Sequence, residues 1–232
     1  MTEHRVRAVN TAATSENKIH DDAVAAKYGF QGGLVPGVAV FGYMAVPVIE
    51  AFGPDWLARG TMTARFLQPF YEGEWVIAQF DGVKVTARKE DGTECGVGTA
   101  TMADPDVGPI TTLVEAELPE VRPEACESVM APGRVLGTLH TVAPDPVTPE
   151  YLLALSNEIL VKNYTLGPWI HTSSDVFNFL NVQPGDNLGV RARIADHFER
   201  KGHQLVTLDV VVQSNGVPAQ FVRHTAIYRL RA

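Results

Sequence analysis

The chain has 232 residues, 45% of them apolar and 20% charged, with a net charge of −8. That balance belongs to a folded chain long enough for one large or two small domains, not to a disordered one. With no Lys/Arg cluster to offset the acidic excess, nucleic acid and anionic membrane surfaces are excluded as expected partners.

From the N-terminus, Met1 to Arg7 has no apolar centre, so no secretory signal is expected. A polar segment follows, Ser15-Glu16-Asn17-Lys18-Ile19-His20, with Asn17 and His20 three residues apart. Asp22 suits the first turn of a short helix, Ala23–Lys27. The stretch Phe30-Gln31-Gly32-Gly33-Leu34-Val35-Pro36-Gly37 is a glycine-rich turn opening directly into a helix over Val38–Phe52. That helix is apolar on nearly every face and must be surrounded, most simply by a curled sheet. It is too short to cross a bilayer and carries Pro47 and Glu50. Strands Val83–Arg88 and Cys95–Met102 flank an Asp91-Gly92 hairpin turn.

Residues 103–132, rich in Pro and acidic side chains, read as a connector laid over the surface. Next comes an amphipathic helix, Pro149–Asn163, with Thr148 as N-cap and Pro149 at its first position. Alternation of Val206, Leu208, Val210 and Val212 with Thr207, Asp209 and Gln213 predicts a half-buried strand. Asn215-Gly216 then turns the chain, both positions wanting positive φ. Cys95 and Cys126 form no CxxC pair, and no metal, nucleotide or serine-hydrolase signature occurs, so neither cofactor nor metal is expected. A cytoplasmic location fits these features.

The chain reads as one unit used twice. Gly53-Pro54-Asp55-Trp56-Leu57 is echoed by Gly167-Pro168-Trp169-Ile170, and Leu67-Gln68-Pro69-Phe70-Tyr71-Glu72-Gly73-Glu74 by Phe179-Leu180-Asn181-Val182-Gln183-Pro184-Gly185-Asp186. Asp91-Gly92 matches Asn215-Gly216, and Thr99-Ala100 matches Thr225-Ala226. The separation widens along the chain, which predicts a longer hairpin in the second copy. The expected layout is an N-terminal unit over 1–103, a connector over 104–132 and a C-terminal unit over 133–232.

These features resemble the MaoC-like hydratase/dehydratase family. Asn17 and His20 stand where that family has its Asn and His, Gly29-Phe30 matches its Gly-Phe, and Gly37 matches its turn glycine. Arg65-Phe66-Leu67-Gln68-Pro69 is similar to its strand entering a Pro-Gly-Asp turn. The chain departs from the pattern at three places: Ser15 replaces the catalytic Asp, Lys18 replaces a Pro, and Pro36 replaces a His. The second half matches in strands only.

The resemblance implies an α+β chain of two hotdog units, each an antiparallel sheet wrapped around a central helix, paired as a pseudo-dimer. It implies an acyl-thioester substrate on coenzyme A or a carrier protein, and a lyase that hydrates or dehydrates it. His20 would carry protons, Asn17 would orient water or the imidazole, and the backbone N–H groups of Gly37 and Val38 would hold the thioester oxygen. Ser15 occupies the second acid/base position but is a poor proton carrier, and Glu16, Asp21 and Asp22 are the nearby carboxylates. The second unit would supply a far wall and structural support. Phe41, Tyr43, Met44, Phe66 and Phe70 are either acyl-pocket wall or core. Two other readings fit the same fold: a thioesterase, which needs no α-proton carrier, and an inactive or partner-dependent subunit. A lyase or isomerase acting on a substrate other than a thioester is a further alternative, and the quaternary state is open, a homodimer of the double chain being one option.

Overall fold

The computed structural model describes residues 1–102 and 112–231. In chain order the first half contains β1 (Thr2–Arg7), a 3₁₀ turn (Lys18–His20), α1 (Asp22–Lys27), α2 (Gly37–Phe52), α3 (Trp56–Arg59), β2 (Gly60–Phe66), β3 (Trp75–Phe80), β4 (Lys84–Arg88) and β5 (Glu94–Met102). The second half contains β6 (Leu139–Val142), α4 (Pro149–Asn163), β7 (Ile170–Asn178), β8 (Asn187–Arg200), β9 (His203–Ser214) and β10 (Val217–Arg229).

All ten strands form one sheet in the order β1-β3-β4-β5-β2-β7-β10-β9-β8-β6. Each half contributes five neighbouring strands, and the second order mirrors the first about the antiparallel β2–β7 pairing, Thr61↔Phe177 to Arg65↔Ser173. The repeated turns coincide in detail. Gly73 N–H donates to Ala8 O at 2.9 Å and Gly185 N–H to Ala143 O at 3.0 Å. Tyr71 N–H donates to the Glu74 carboxylate at 2.8 Å and Gln183 N–H to the Asp186 carboxylate at 2.9 Å. Both glycines have positive φ, +77° and +86°. The longer second hairpin is present: β8 and β9 have 14 and 12 residues, against 6 and 5 in β3 and β4.

The α2 helix is enclosed as its apolar sequence requires, with Val38, Ala39, Val40, Phe41, Met44, Ala45, Pro47 and Val48 all buried. Each large apolar side chain hidden this way stabilises the fold by about 1.5–3 kcal/mol. The α4 helix starts as its sequence signals dictate, Thr148 Oγ1 accepting from Tyr151 N–H at 3.1 Å with Pro149 following.

The structure corrects three expectations. Asp91 does not share the positive φ of Gly92; the loop is wider, closed by Lys89 N–H to Thr93 O at 3.0 Å. The connector's residues 103–111 lie outside the described residues; its remainder is not purely superficial, since Met130 is fully buried. Strand β9 is buried on both faces, not half-buried, because its outward Asp209 and Val211 are covered as well. Arg193 and Arg223 both pair with Asp209, at 3.0 and 2.8 Å, and Val211 lies opposite Phe221 and Arg191.

The Asp209 carboxylate is wholly buried whereas both arginines reach solvent. Removing the cations therefore strands a buried charge, whereas removing the charge does not. We predict that the double substitution Arg193→Met/Arg223→Met destabilises by about 3–5 kcal/mol, and Asp209→Asn by only about 1–3 kcal/mol. Urea titration of both variants measures the order; the reverse order contradicts this account.

Candidate active site

Asn17 is the pivot of the segment before α1. It caps the 3₁₀ turn, its Oδ1 accepting from Ile19 N–H at 3.3 Å. The same amide pairs with the backbone of Trp169 in the other half: Trp169 N–H donates to Oδ1 at 3.1 Å, and Nδ2 donates to Trp169 O at 2.9 Å. These bonds fix which end of the amide is nitrogen, so Nδ2 also donates to His20 Nε2 at 3.2 Å. His20 Nδ1 must then carry the ring proton, which it donates to Leu34 O at 2.6 Å. Burial holds the His20 pKa below the ordinary imidazole value of 6.5, outweighing the bond to Leu34. The side chain is therefore a neutral imidazole with its Nε2 lone pair on the Asn17 side.

The glycine turn is shaped by this segment. A Cβ at Gly33 would overlap the carbonyl of His20, and Gly33 N–H donates to Asp22 Oδ1 at 2.7 Å. Pro36 is the N-cap of α2 and offers no side-chain bond. Among the described residues, the Gly37 and Val38 amides have no hydrogen-bond acceptor. They sit at the positive end of a sixteen-residue helix.

A cavity of about 230 Å³ joins these parts. Asn17, His20 and Gly37 line it, beside apolar Phe30, Val40, Phe66 and Phe70 from the first half. Asn157, Trp169, Ile170, His171 and Ile227 line it from the second. Of the aromatic and Met candidates, Phe66 and Phe70 thus face the cavity. Phe41 and Met44 are fully buried core, and Tyr43 Oη accepts from Val9 N–H at 3.1 Å.

Neither of the expected site residues Ser15 and Val38 is among the residues that line the cavity. Ser15 Oγ donates to Asn17 O at 3.3 Å, so its place is in the backbone of the turn. The neighbouring carboxylates are also engaged elsewhere. Glu16 pairs with Arg122 at 3.0 Å, Asp21 caps α1 by accepting from Val24 N–H at 2.9 Å, and Asp22 holds Gly33. No Asp or Glu lines the cavity among the described residues, and no group of three His, Cys, Asp or Glu there is placed to hold a metal ion.

The second half brings two groups that the sequence reading assigned no part: Asn157 on α4 and His171 on β7. His171 is buried and packs edge-on against Phe66, with ring centroids 4.8 Å apart. Its Nε2 meets Ser174 Oγ at 2.8 Å, and Ser174 Oγ meets His224 Nδ1 at 3.0 Å. Strict alternation would put residues 171 and 174 on opposite faces. A bulge at Thr172, where the β7–β10 register shifts, turns both inward.

No family model matches the sequence, and no curated protein does. Solved structures do match. One is a Mycobacterium tuberculosis protein described as having a double hotdog fold, with 14% identity over 97% of this chain and 93% of that one and a TM-score of 0.60. The chain has the double hotdog fold. Two further matches are named for different reactions. A MaoC-like dehydratase shares 12% identity over 99% of this chain and 98% of that one, with a TM-score of 0.52. An acyl-CoA thioesterase II from Mycobacterium marinum shares 14% identity over 86% of this chain and 91% of that one, with a TM-score of 0.50. Among the described residues, no helix of this double hotdog chain is long and apolar enough to cross a membrane.

His20, His171 and His224 all have lowered pKa values, chiefly through burial; that of His224 falls from 6.5 to about 3. The unfolded chain therefore binds more protons than the folded one below pH 6.5, and stability rises with pH across that window. We predict that the denaturation midpoint is maintained above pH 6.5 and falls between 6.5 and about 5, before most carboxylates titrate. Midpoints that stay level over that range refute it.

Proposed function

We propose that the cavity binds an acyl thioester, on coenzyme A or a carrier protein, and that the chain catalyses reversible hydration of its enoyl form. The observation that carries this reading is the meeting, on one small apolar cavity, of a neutral imidazole with Gly37, whose unpartnered amide, followed by that of Val38, opens the α2 helix. The thioester carbonyl accepts from the Gly37 and Val38 amides, which hold negative charge as the oxygen becomes enolate-like. The apolar side chains take the acyl group.

A cavity with no lining carboxylate among the described residues is compatible with this chemistry. In a syn elimination the α-proton and the β-hydroxyl depart from one face of the substrate. His20 Nε2 takes the α-proton, and the same imidazolium returns it to the departing hydroxyl, giving an enoyl thioester and water. Leu34 O holds the ring through Nδ1–H while Nε2 exchanges its Asn17 bond for the substrate.

A second reading is favoured by the same lining. Hydrolysis of a thioester requires a base to activate water and donors for the oxyanion, but no group to move an α-proton. It uses His20 and the α2 amides unchanged, with Asn17 positioning the water.

His20→Ala is expected to lower turnover of enoyl-CoA or 3-hydroxyacyl-CoA by roughly 10²–10⁴-fold. An unchanged rate in the folded variant removes the proposed site. Product analysis with a saturated acyl-CoA separates the two readings. Release of free thiol identifies hydrolysis; intact thioester, together with hydration of the enoyl substrate, identifies the lyase.

A further inference from the structure

We propose that His171, from the second half, is a third hydrogen-bond donor to the thioester carbonyl, presented through Nδ1–H and held in that tautomer by Ser174 and His224. The proposal rests on the acyl-thioester reading of the cavity.

Geometry places the ring beside the helix N-terminus. His171 lines the cavity, and a Cβ built on Gly37 would lie 2.8 Å from His171 Nδ1. Gly37 therefore serves two ends: its bare Cα lets the imidazole approach, and its N–H stays free for a ligand. His171 Nδ1 is buried and has no hydrogen-bond partner. Phe66 packs on the ring and fixes its plane.

The tautomer follows from counting protons along the chain of three side chains. Ser174 has one hydroxyl proton and lies between His171 Nε2 and His224 Nδ1. In the first arrangement Ser174 donates to His171 Nε2 and accepts from His224 Nδ1–H. His171 then carries its proton on Nδ1, beside Gly37, and His224 Nε2 is a bare acceptor. In the second, every proton is reversed, and His224 Nε2–H becomes a donor with no acceptor in the core, where that atom is buried and unpartnered. Each arrangement leaves one buried N–H without an acceptor in the protein. His171 lines the cavity and His224 does not, so the first arrangement puts the unmatched donor beside the site where a carbonyl would bind.

His171 stays neutral in this role. Burial lowers its pKa well below 6.5, and the neighbouring His224 ring lowers it further, against an opposing backbone contact with Ser173. The two rings lie 4.2 Å apart, centroid to centroid, too close for both to be charged in a dry core. A neutral imidazole donor polarises a carbonyl without transferring its proton, so no carboxylate has to recharge it.

Two measurements test this. The ¹⁵N NMR signals of His171 in the free protein should show Nδ1 protonated and Nε2 bare; the opposite tautomer overturns the proposal without reference to any substrate. The infrared carbonyl stretch of a bound ¹³C-labelled saturated acyl-CoA should be lowered in the wild type and shift back upward in His171→Phe. His171→Asn, whose amide N–H replaces Nδ1–H, should retain most of the lowering and serves if the Phe variant does not fold. Turnover in His171→Phe should fall by about a hundredfold, the usual cost of one oxyanion donor. A carbonyl stretch identical in wild type and His171→Phe overturns this proposal and leaves the thioester reading standing. A wild-type chain that binds no acyl thioester overturns both.

Discussion

Strands β2 and β7 are each the last strand of a five-stranded half, and apart each would present a row of unpaired backbone groups to water. Their antiparallel pairing removes both edges at once. It also sets the distance between the halves, because strands neighbouring in a sheet lie about 5 Å apart. The cavity sits at this seam: Phe66 ends β2, and Ile170 and His171 begin β7. Asn17 adds a second tie at the same place, its amide pairing with the Trp169 backbone much as a strand would. The seam is thus both what completes the fold and what builds the site.

The division of labour between the halves is unequal although their topology is not. The first half supplies the helix whose N-terminus is bare, since Pro36 cannot cap it. The equivalent helix α4 is capped by Thr148 and so offers no such site. The second half supplies the rigid backing: long strands, a carboxylate buried between two arginines, and the Ser174–His224 pair behind His171. A duplicated unit has kept its turns and its strand order while its two helix starts have diverged.

Much of this was legible locally. The Thr148–Pro149 helix start, the Asn215-Gly216 turn and the enclosed α2 helix depend on residues a few positions apart, where capping, positive φ and periodicity act. The repeated Gly73 and Gly185 turns survived comparison because each is closed from within by a carboxylate, Glu74 or Asp186, accepting from a backbone N–H three residues back. The pattern of alternation in β9 failed to show that its outward face is covered, because the covering arginines come from β8 and β10. Asp91 was misread because a side chain accepting from Thr93 N–H, at 2.9 Å, closes its loop without positive φ at that residue.

The sequence alone determined the main elements, the turns other than that at Asp91, the duplication and the nearness of His20 and Asn17 to a glycine-led helix, because short-range sterics and hydrogen bonds decide those. Tertiary structure decided what shares the cavity. Ser15 turned into the backbone of its loop, the three nearby carboxylates found other partners, and His171 reached Gly37 from the far half. That last placement depends on a bulge set by the β7–β10 register and on a seam between strands more than a hundred residues apart in sequence. No local pattern carries such information, since it exists only once the strands have paired.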